Sequence, residues 1–166
     1  MGLKFGTDGV RGLALEELKP DWVAKLASAT AKVTGVKTFA IGTDGRETGP
    51  IFAKALASGF VEEGSSYEYL GIVPTPTIAH VSSSQKIGGA VVSASHNQSE
   101  YNGIKFFLPG GKKLPDKVQE EIEFILQNEI FSPEIIKNLE QSETREILIN
   151  SWTASLTSSI TSANLD

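Results

Sequence analysis

The chain contains no cysteine, which removes disulfides, thiolate catalysis and cysteine-ligated zinc together. It has only two histidines, His80 and His96, too few for a histidine-rich metal site. Basic residues are outnumbered, with 15 Lys and Arg against 20 Asp and Glu for a formal charge of -5. No cationic field is therefore available for nucleic acid or an anionic membrane. No apolar run approaches the ~20 residues of a membrane span. The start, Met1-Gly2-Leu3-Lys4-Phe5, does not build the basic-then-apolar pattern of a secretory signal. These absences lead us to expect a cytoplasmic protein with a small-molecule partner. What is present, 40% hydrophobic and 21% charged residues over 166 positions, is the make-up of one well-cored globular domain.

Helical and extended patterns alternate along the chain, the signature of a wound α/β layer. After a glycine-rich opening, Pro20 and Asp21 start a helix whose Trp22, Val23, Leu26 and Ala27 share one face, ending near Gly35. Lys37 to Ile41 reads as a strand and Gly42 to Arg46 as the turn after it. Phe52, Ala55, Leu56, Gly59 and Phe60 mark a second helix, and Tyr67 to Leu70 a further strand. Pro74-Thr75-Pro76-Thr77 reads as an extended loop before a short helix over Ile78 to Ser84. Gly88 to Val92 is a buried strand, Gly103 to Leu108 an outer strand with a hairpin at Pro109-Gly110-Gly111, and Pro115 opens another helix. The last stretch is rich in serine and threonine. There Leu148, Trp152, Leu156 and Ile160 recur at four-residue spacing, an amphipathic helical stripe without an evident core to cover.

Three glycine-flanked loops carry the candidate chemistry: Phe5 to Gly12, Gly42 to Gly49, and Ser93 to Gly103. Loops that follow parallel strands converge on one sheet edge, so these can face one pocket. Arg11 and Arg46 sit among glycines that let a backbone approach an anion, free for bidentate phosphate contact or held in structural salt bridges. Ser95 is either a nucleophile needing a base or a turn serine; the adjacent His96 is either a substrate-facing group or a loop histidine. On an extended backbone the two side chains would point apart. Lys105, within Ile104-Lys105-Phe106-Phe107, either snorkels to solvent or is held toward the pocket with a lowered pKa.

In this order, these loops, together with Pro74-Thr75-Pro76-Thr77, Asn102 to Phe107 and Lys113-Leu114-Pro115, make the chain resemble the α-D-phosphohexomutase superfamily, most closely the bacterial phosphoglucosamine mutases. The resemblance covers about residues 3 to 128. It implies a three-layer α/β/α domain with a mixed, mostly parallel sheet, the first domain of such an enzyme. It further implies that Ser95 is the phosphoserine, binding Mg²⁺ through its phosphate. His96 and Lys105 match residues of proton transfer and substrate orientation, and Arg11 an active-site arginine. Arg46 matches a supporting arginine, with Asn97, Asp44 and Thr7 in the phosphate environment. The implied reaction interconverts glucosamine 6-phosphate and glucosamine 1-phosphate through a hexose 1,6-bisphosphate. Ser93, where glucose- and mannose-directed relatives usually carry threonine, favours glucosamine.

The sequence departs from the family pattern at Gln98, usually proline, at Thr43, usually basic, and at Gly45, usually threonine. Nothing in it resembles the magnesium, sugar and main phosphate-binding motifs of the other three domains. We therefore expect residues 1 to 144 to form the phosphoserine domain, and 145 to 166 a tail that begins or replaces a second domain. The isolated chain is then incomplete for catalysis. The competing expectation is a truncated, non-catalytic module that uses Leu148, Trp152, Leu156 and Ile160 for homodimerisation or docking.

Overall fold

The computed structural model describes residues 3–162. In chain order they form β1 (Val10–Leu13), α1 (Pro20–Thr34), β2 (Thr38–Thr43), α2 (Gly49–Glu62), β3 (Ser66–Ile72), α3 (Thr75–Gln85), β4 (Gly88–Val92), β5 (Tyr101–Leu108), β6 (Lys112–Lys113), α4 (Asp116–Asn128) and α5 (Arg145–Ser162). The strands make one sheet ordered β1-β5-β4-β2-β3, with β6 alongside the end of β5.

Strand alternation sends Val10, Phe39, Ile41, Ala90, Val92, Ile104 and Phe106 to the face covered by α1, α2 and α4. Ala40, Leu70, Val91 and Phe107 face α3 and the first part of α5. The result is the expected α/β/α layering with a mixed sheet. Parallel pairing is confined to β3-β2-β4, while β5 runs antiparallel to β4, β1 and β6. The reason is connection length: β4 to β5 and β5 to β6 are joined by loops too short for the helical crossover that parallel neighbours need.

The helical layer is tight because small residues meet across it. At Gly59 a Cβ would lie 2.0 Å from the Ala24 carbonyl oxygen, and Ser28 Oγ, with one proton to give, donates across the interface to Glu62 at 2.5 Å and lies 3.1 Å from the Gly59 carbonyl. Behind them Phe60 stacks on Phe39 with centroids 3.9 Å apart.

Several local expectations are corrected. Val10 to Leu13 lies in the glycine-rich opening yet is a strand, held by its register against Tyr101 to Ile104. The Pro74–Thr77 segment is not an extended loop: Pro74 alone is extended, as N-cap, and Pro76 lies in the first turn of α3, where its missing N–H costs nothing. The strand carrying Lys105 is internal rather than outer, since β1 closes the sheet beyond it.

The tail does find a core at its start. Leu148 is buried with Leu70, Val73, Ile78 and Val81, Arg145 Nε donates to the Leu70 carbonyl at 2.7 Å, and Ser151 Oγ meets His80 Nε2 at 3.1 Å. The stripe is then lost to solvent, with Leu156 45% and Ile160 66% exposed. Residues 163–166 of the expected tail lie outside the described residues. Among the described residues no helix is long and apolar enough to cross a membrane.

Candidate active site

Strands β4 and β2 end side by side, with Thr43 opposite Val92, so the loops that follow them share one edge. The Asp44 N–H donates to the Val92 carbonyl at 3.1 Å, fixing that junction. Beyond β4, Ala94 is fully buried while Ser95 next to it is exposed, so the loop is anchored at one residue and presents the next. Ser95 has φ 57°, the left-handed region that costs a non-glycine residue about 1 kcal/mol and persists only where its surroundings impose it.

Arg46 supplies much of that imposition. Its Nε donates to Asp44 Oδ2 at 3.0 Å. One terminal nitrogen donates to the Gln98 and Tyr101 carbonyls at 2.6 and 2.9 Å, the other to the Ser95 and Asn97 carbonyls at 3.1 and 2.8 Å. Every N–H of the guanidinium is thus engaged. Arg46 holds the serine loop in shape and has no donor left for a substrate. Ser93 Oγ adds a bond from the Ser95 N–H at 3.0 Å, and Asn97 closes the turn through its N–H to Ala94.

Because Ser95 is left-handed rather than extended, the backbone does not hold its side chain and that of His96 apart. Ser95 Oγ lies 3.4 Å from His96 Nδ1, at the outer limit of a hydrogen bond.

The second group of charges centres on Asp8, which sequence reading did not single out. Asp8 Oδ1 lies 2.5 Å from Lys105 Nζ and 3.6 Å from Lys113 Nζ, and Oδ2 lies 3.2 Å from Arg11. The hydrogen bond from Lys105, with the nearby charges of Lys105, Lys113 and Arg11, holds the Asp8 carboxyl below its ordinary value against the opposing effect of burial. Lys105 is 23% exposed on its side chain and lies 5.6 Å from the Phe107 ring. Lys113 Nζ also donates to the Thr7 carbonyl at 2.8 Å, so Thr7 contributes main chain here. The i, i+3 spacing of Asp8 and Arg11 is the signal that the sequence carries for Asp8.

Neither Arg11 nor Lys105 hydrogen-bonds Ser95. What brings them near is β5: Gly103 pairs with Arg11 on one side, and its carbonyl accepts from Ser93 N at 2.9 Å on the other. A Cβ on Gly103 would stand 2.8 Å from the Val10 oxygen and 2.9 Å from both Arg11 Cγ and the Ser93 oxygen. Three segments converge there only because the residue is glycine. Its neighbour Asn102 is fully buried and ties β5 to α2 through Thr48 Oγ1 at 2.9 Å, a second residue the sequence did not flag.

An open cleft of about 710 Å³ lies beside the loop, lined by Asp44, Glu47, Asn97 and Glu100 among others. Its carboxylates suit it poorly to a phosphate; the cations lie around Asp8 instead. Among the described residues no group of three or more His, Asp or Glu side chains could hold a metal ion.

Residues 2–133 match the family model described as phosphoglucomutase/phosphomannomutase, alpha/beta/alpha domain I. Phosphoglucosamine mutase of Desulforudis audaxviator is 47% identical over 131 residues, 76% of this chain and 29% of that protein. The enzyme of that name from Alkaliphilus metalliredigens is 47% identical over 135 residues, 78% of this chain and 30% of its own length. Among solved structures, a phosphoglucomutase/phosphomannomutase family protein from Burkholderia thailandensis superposes with a TM-score of 0.69 at 25% identity, over 86% of this chain and 33% of that one. The chain thus spans about three-tenths of the length of these curated relatives. The chain belongs to the phosphoglucomutase/phosphomannomutase family and carries its α/β/α domain I.

Proposed function

We propose that this chain is the phosphoserine domain of a phosphohexomutase acting on glucosamine phosphate. The observation that carries the reading is the exposed Ser95 hydroxyl, presented at φ 57° by a loop that Arg46 fixes through four main-chain carbonyls. Phospho-Ser95 gives its phosphoryl group to a free sugar hydroxyl: the bond from phosphorus to Oγ breaks, one to the sugar oxygen forms, and Oγ takes up a proton. The bisphosphate then returns its other phosphoryl group to Ser95. His96, 3.4 Å from Oγ, moves that proton or orients the sugar, and Arg11 and Lys105 stabilise charge on the transferring oxygens.

Glucosamine as the sugar rests on the names of the relatives and on Ser93. The Ser93 hydroxyl is occupied in bonding the Ser95 N–H, so any effect on sugar choice passes through loop shape. Mg²⁺, when bound, would neutralise phosphate charge; among the described residues, where no group of three or more His, Asp or Glu could hold a metal ion, the ligand on offer is the phosphate on Ser95.

The test is a coupled mutase assay with glucosamine 6-phosphate, together with intact mass after exposure to a hexose 1,6-bisphosphate. The 166-residue chain should gain one phosphoryl group in a single slow stoichiometric transfer, Ser95→Ala none, and neither should sustain turnover, which also requires the bisphosphate to be held and reversed between the two transfers. Turnover by the chain alone, abolished by Ser95→Ala, would show that it is complete and refute that part of the proposal.

A further inference from the structure

Resting on the reading of Ser95 as a phosphoryl carrier, we propose that Asp8 is a positioning residue that gathers Arg11, Lys105 and Lys113 into one seat for a phosphate monoester. These three cations come from three places, β1, β5 and β6, and like charges on long side chains do not assemble unaided. Among the described residues Asp8 is the group they share. Its Oδ1 serves both lysines and its Oδ2 serves Arg11.

The arrangement leaves capacity for a further anion. Among the four side chains in direct contact, three positive charges around one carboxylate leave a surplus of two, which suits the charge of a phosphate monoester near neutrality, while Asp116, Glu120 and Glu123 line a neighbouring cleft with Lys113 and place the favourable side of the seat toward Arg11 and Lys105. Arg11 contacts Asp8 through a single nitrogen, and the rest of its fork makes no hydrogen bond among the described residues. That is the opposite of Arg46, whose donors are all engaged. A phosphate can take the free edge of Arg11 in bidentate fashion while Asp8 stays in place. Lys113 is thereby a phosphate-facing residue, held on its other side by the Thr7 carbonyl.

This reading opposes the simple charge argument. Removing a carboxylate from a cationic cluster should strengthen anion binding if Asp8 merely competes for the cations. If Asp8 positions them, Asp8→Asn weakens binding, because the ligand must then order the side chains itself. The expected loss is roughly two- to tenfold, the effect of immobilising one rotamer-rich side chain at binding.

The experiment titrates inorganic phosphate into the full chain and follows the Lys105, Lys113 and Arg11 side-chain resonances by NMR. Wild type, Asp8→Asn, Asp8→Glu and Lys113→Met are compared, each first shown to keep the wild-type amide spectrum. Weaker binding by Asp8→Asn and Lys113→Met, with recovery in Asp8→Glu, supports the proposal. Unchanged or tighter binding by Asp8→Asn overturns it, as does no saturable binding by wild type.

A second arm repeats the titration after phosphate has been placed on Ser95. Loss of binding then means that the seat receives the serine's phosphate; unchanged binding means that it receives the sugar's. A Ser95 that never accepts phosphate defeats the proposed function, and the first arm still decides the role of Asp8.

Discussion

Replacing Arg46 by methionine keeps most of the side-chain stem and removes the guanidinium that bonds Asp44 and the carbonyls of Ser95, Asn97, Gln98 and Tyr101. Counting each bond separately would overstate the loss, since water can reach several of the orphaned carbonyls. Breaking a buried ion pair by removing one partner costs about 3–5 kcal/mol. Arg46 is 12% exposed but its partner Asp44 is 30% exposed, so the appropriate figure is lower, about 2–4 kcal/mol. For a domain of this length that lowers Tm by roughly 5–15 °C. Arg46→Lys keeps the charge but cannot reproduce a planar fork reaching five acceptors, and should lose at least half as much. Urea unfolding of the three proteins measures the loss, and hydrogen exchange locates it: amides of residues 93–101 should accelerate more than those of α1 and α2. Arg46→Met unfolding within about 0.5 kcal/mol of wild type, the range of ordinary surface changes, would refute the assignment of this arginine as the loop's scaffold.

Gly59→Ala places a methyl 2.0 Å from the Ala24 oxygen and 2.7 Å from Ala27 Cβ, so α1 and α2 must separate; urea unfolding should show a loss of about 1–3 kcal/mol or more. Asp8 has its folded pKa held below the ordinary 3.8, chiefly by the Lys105 hydrogen bond. Its contribution to stability is therefore complete above that value and is lost as pH falls through the lower folded one. At 41% exposure the contribution is at most about 1 kcal/mol, and the difference between wild type and Asp8→Asn in unfolding free energy should shrink between about pH 5 and pH 2. The Gln98 N–H donates to no acceptor among the described residues, while the Gln98 carbonyl serves Arg46 and Tyr101. Gln98→Pro should therefore stabilise the chain by about 0.4–1 kcal/mol in thermal unfolding.

The elements with strong local patterns were legible in the sequence. The apolar spacing of α2 and the small β-branched run of β4 each state their own structure. β1 was not legible, because Val10-Arg11-Gly12-Leu13 becomes a strand only by pairing with residues about ninety positions away, and no local signal encodes that. Nor could the sequence reveal that β5 is internal, since strand order follows from how connections cross the sheet. At the site, Ser95, His96 and Lys105 stood out by residue type. The scaffold role of Arg46 was only half visible, because its partners are mostly carbonyls, which every residue has. Asp8 and Asn102 were missed for a related reason: their importance lies in what they touch.

The most direct measurement is phosphopeptide mapping of the chain after exposure to a hexose 1,6-bisphosphate, with Ser95→Ala as the control. Phosphate confined to Ser95 and absent from the control is the expected result. Phosphate on neighbouring Ser93 or Ser99 instead, or none on the loop at all, would contradict the assignment of Ser95 as the phosphoryl carrier.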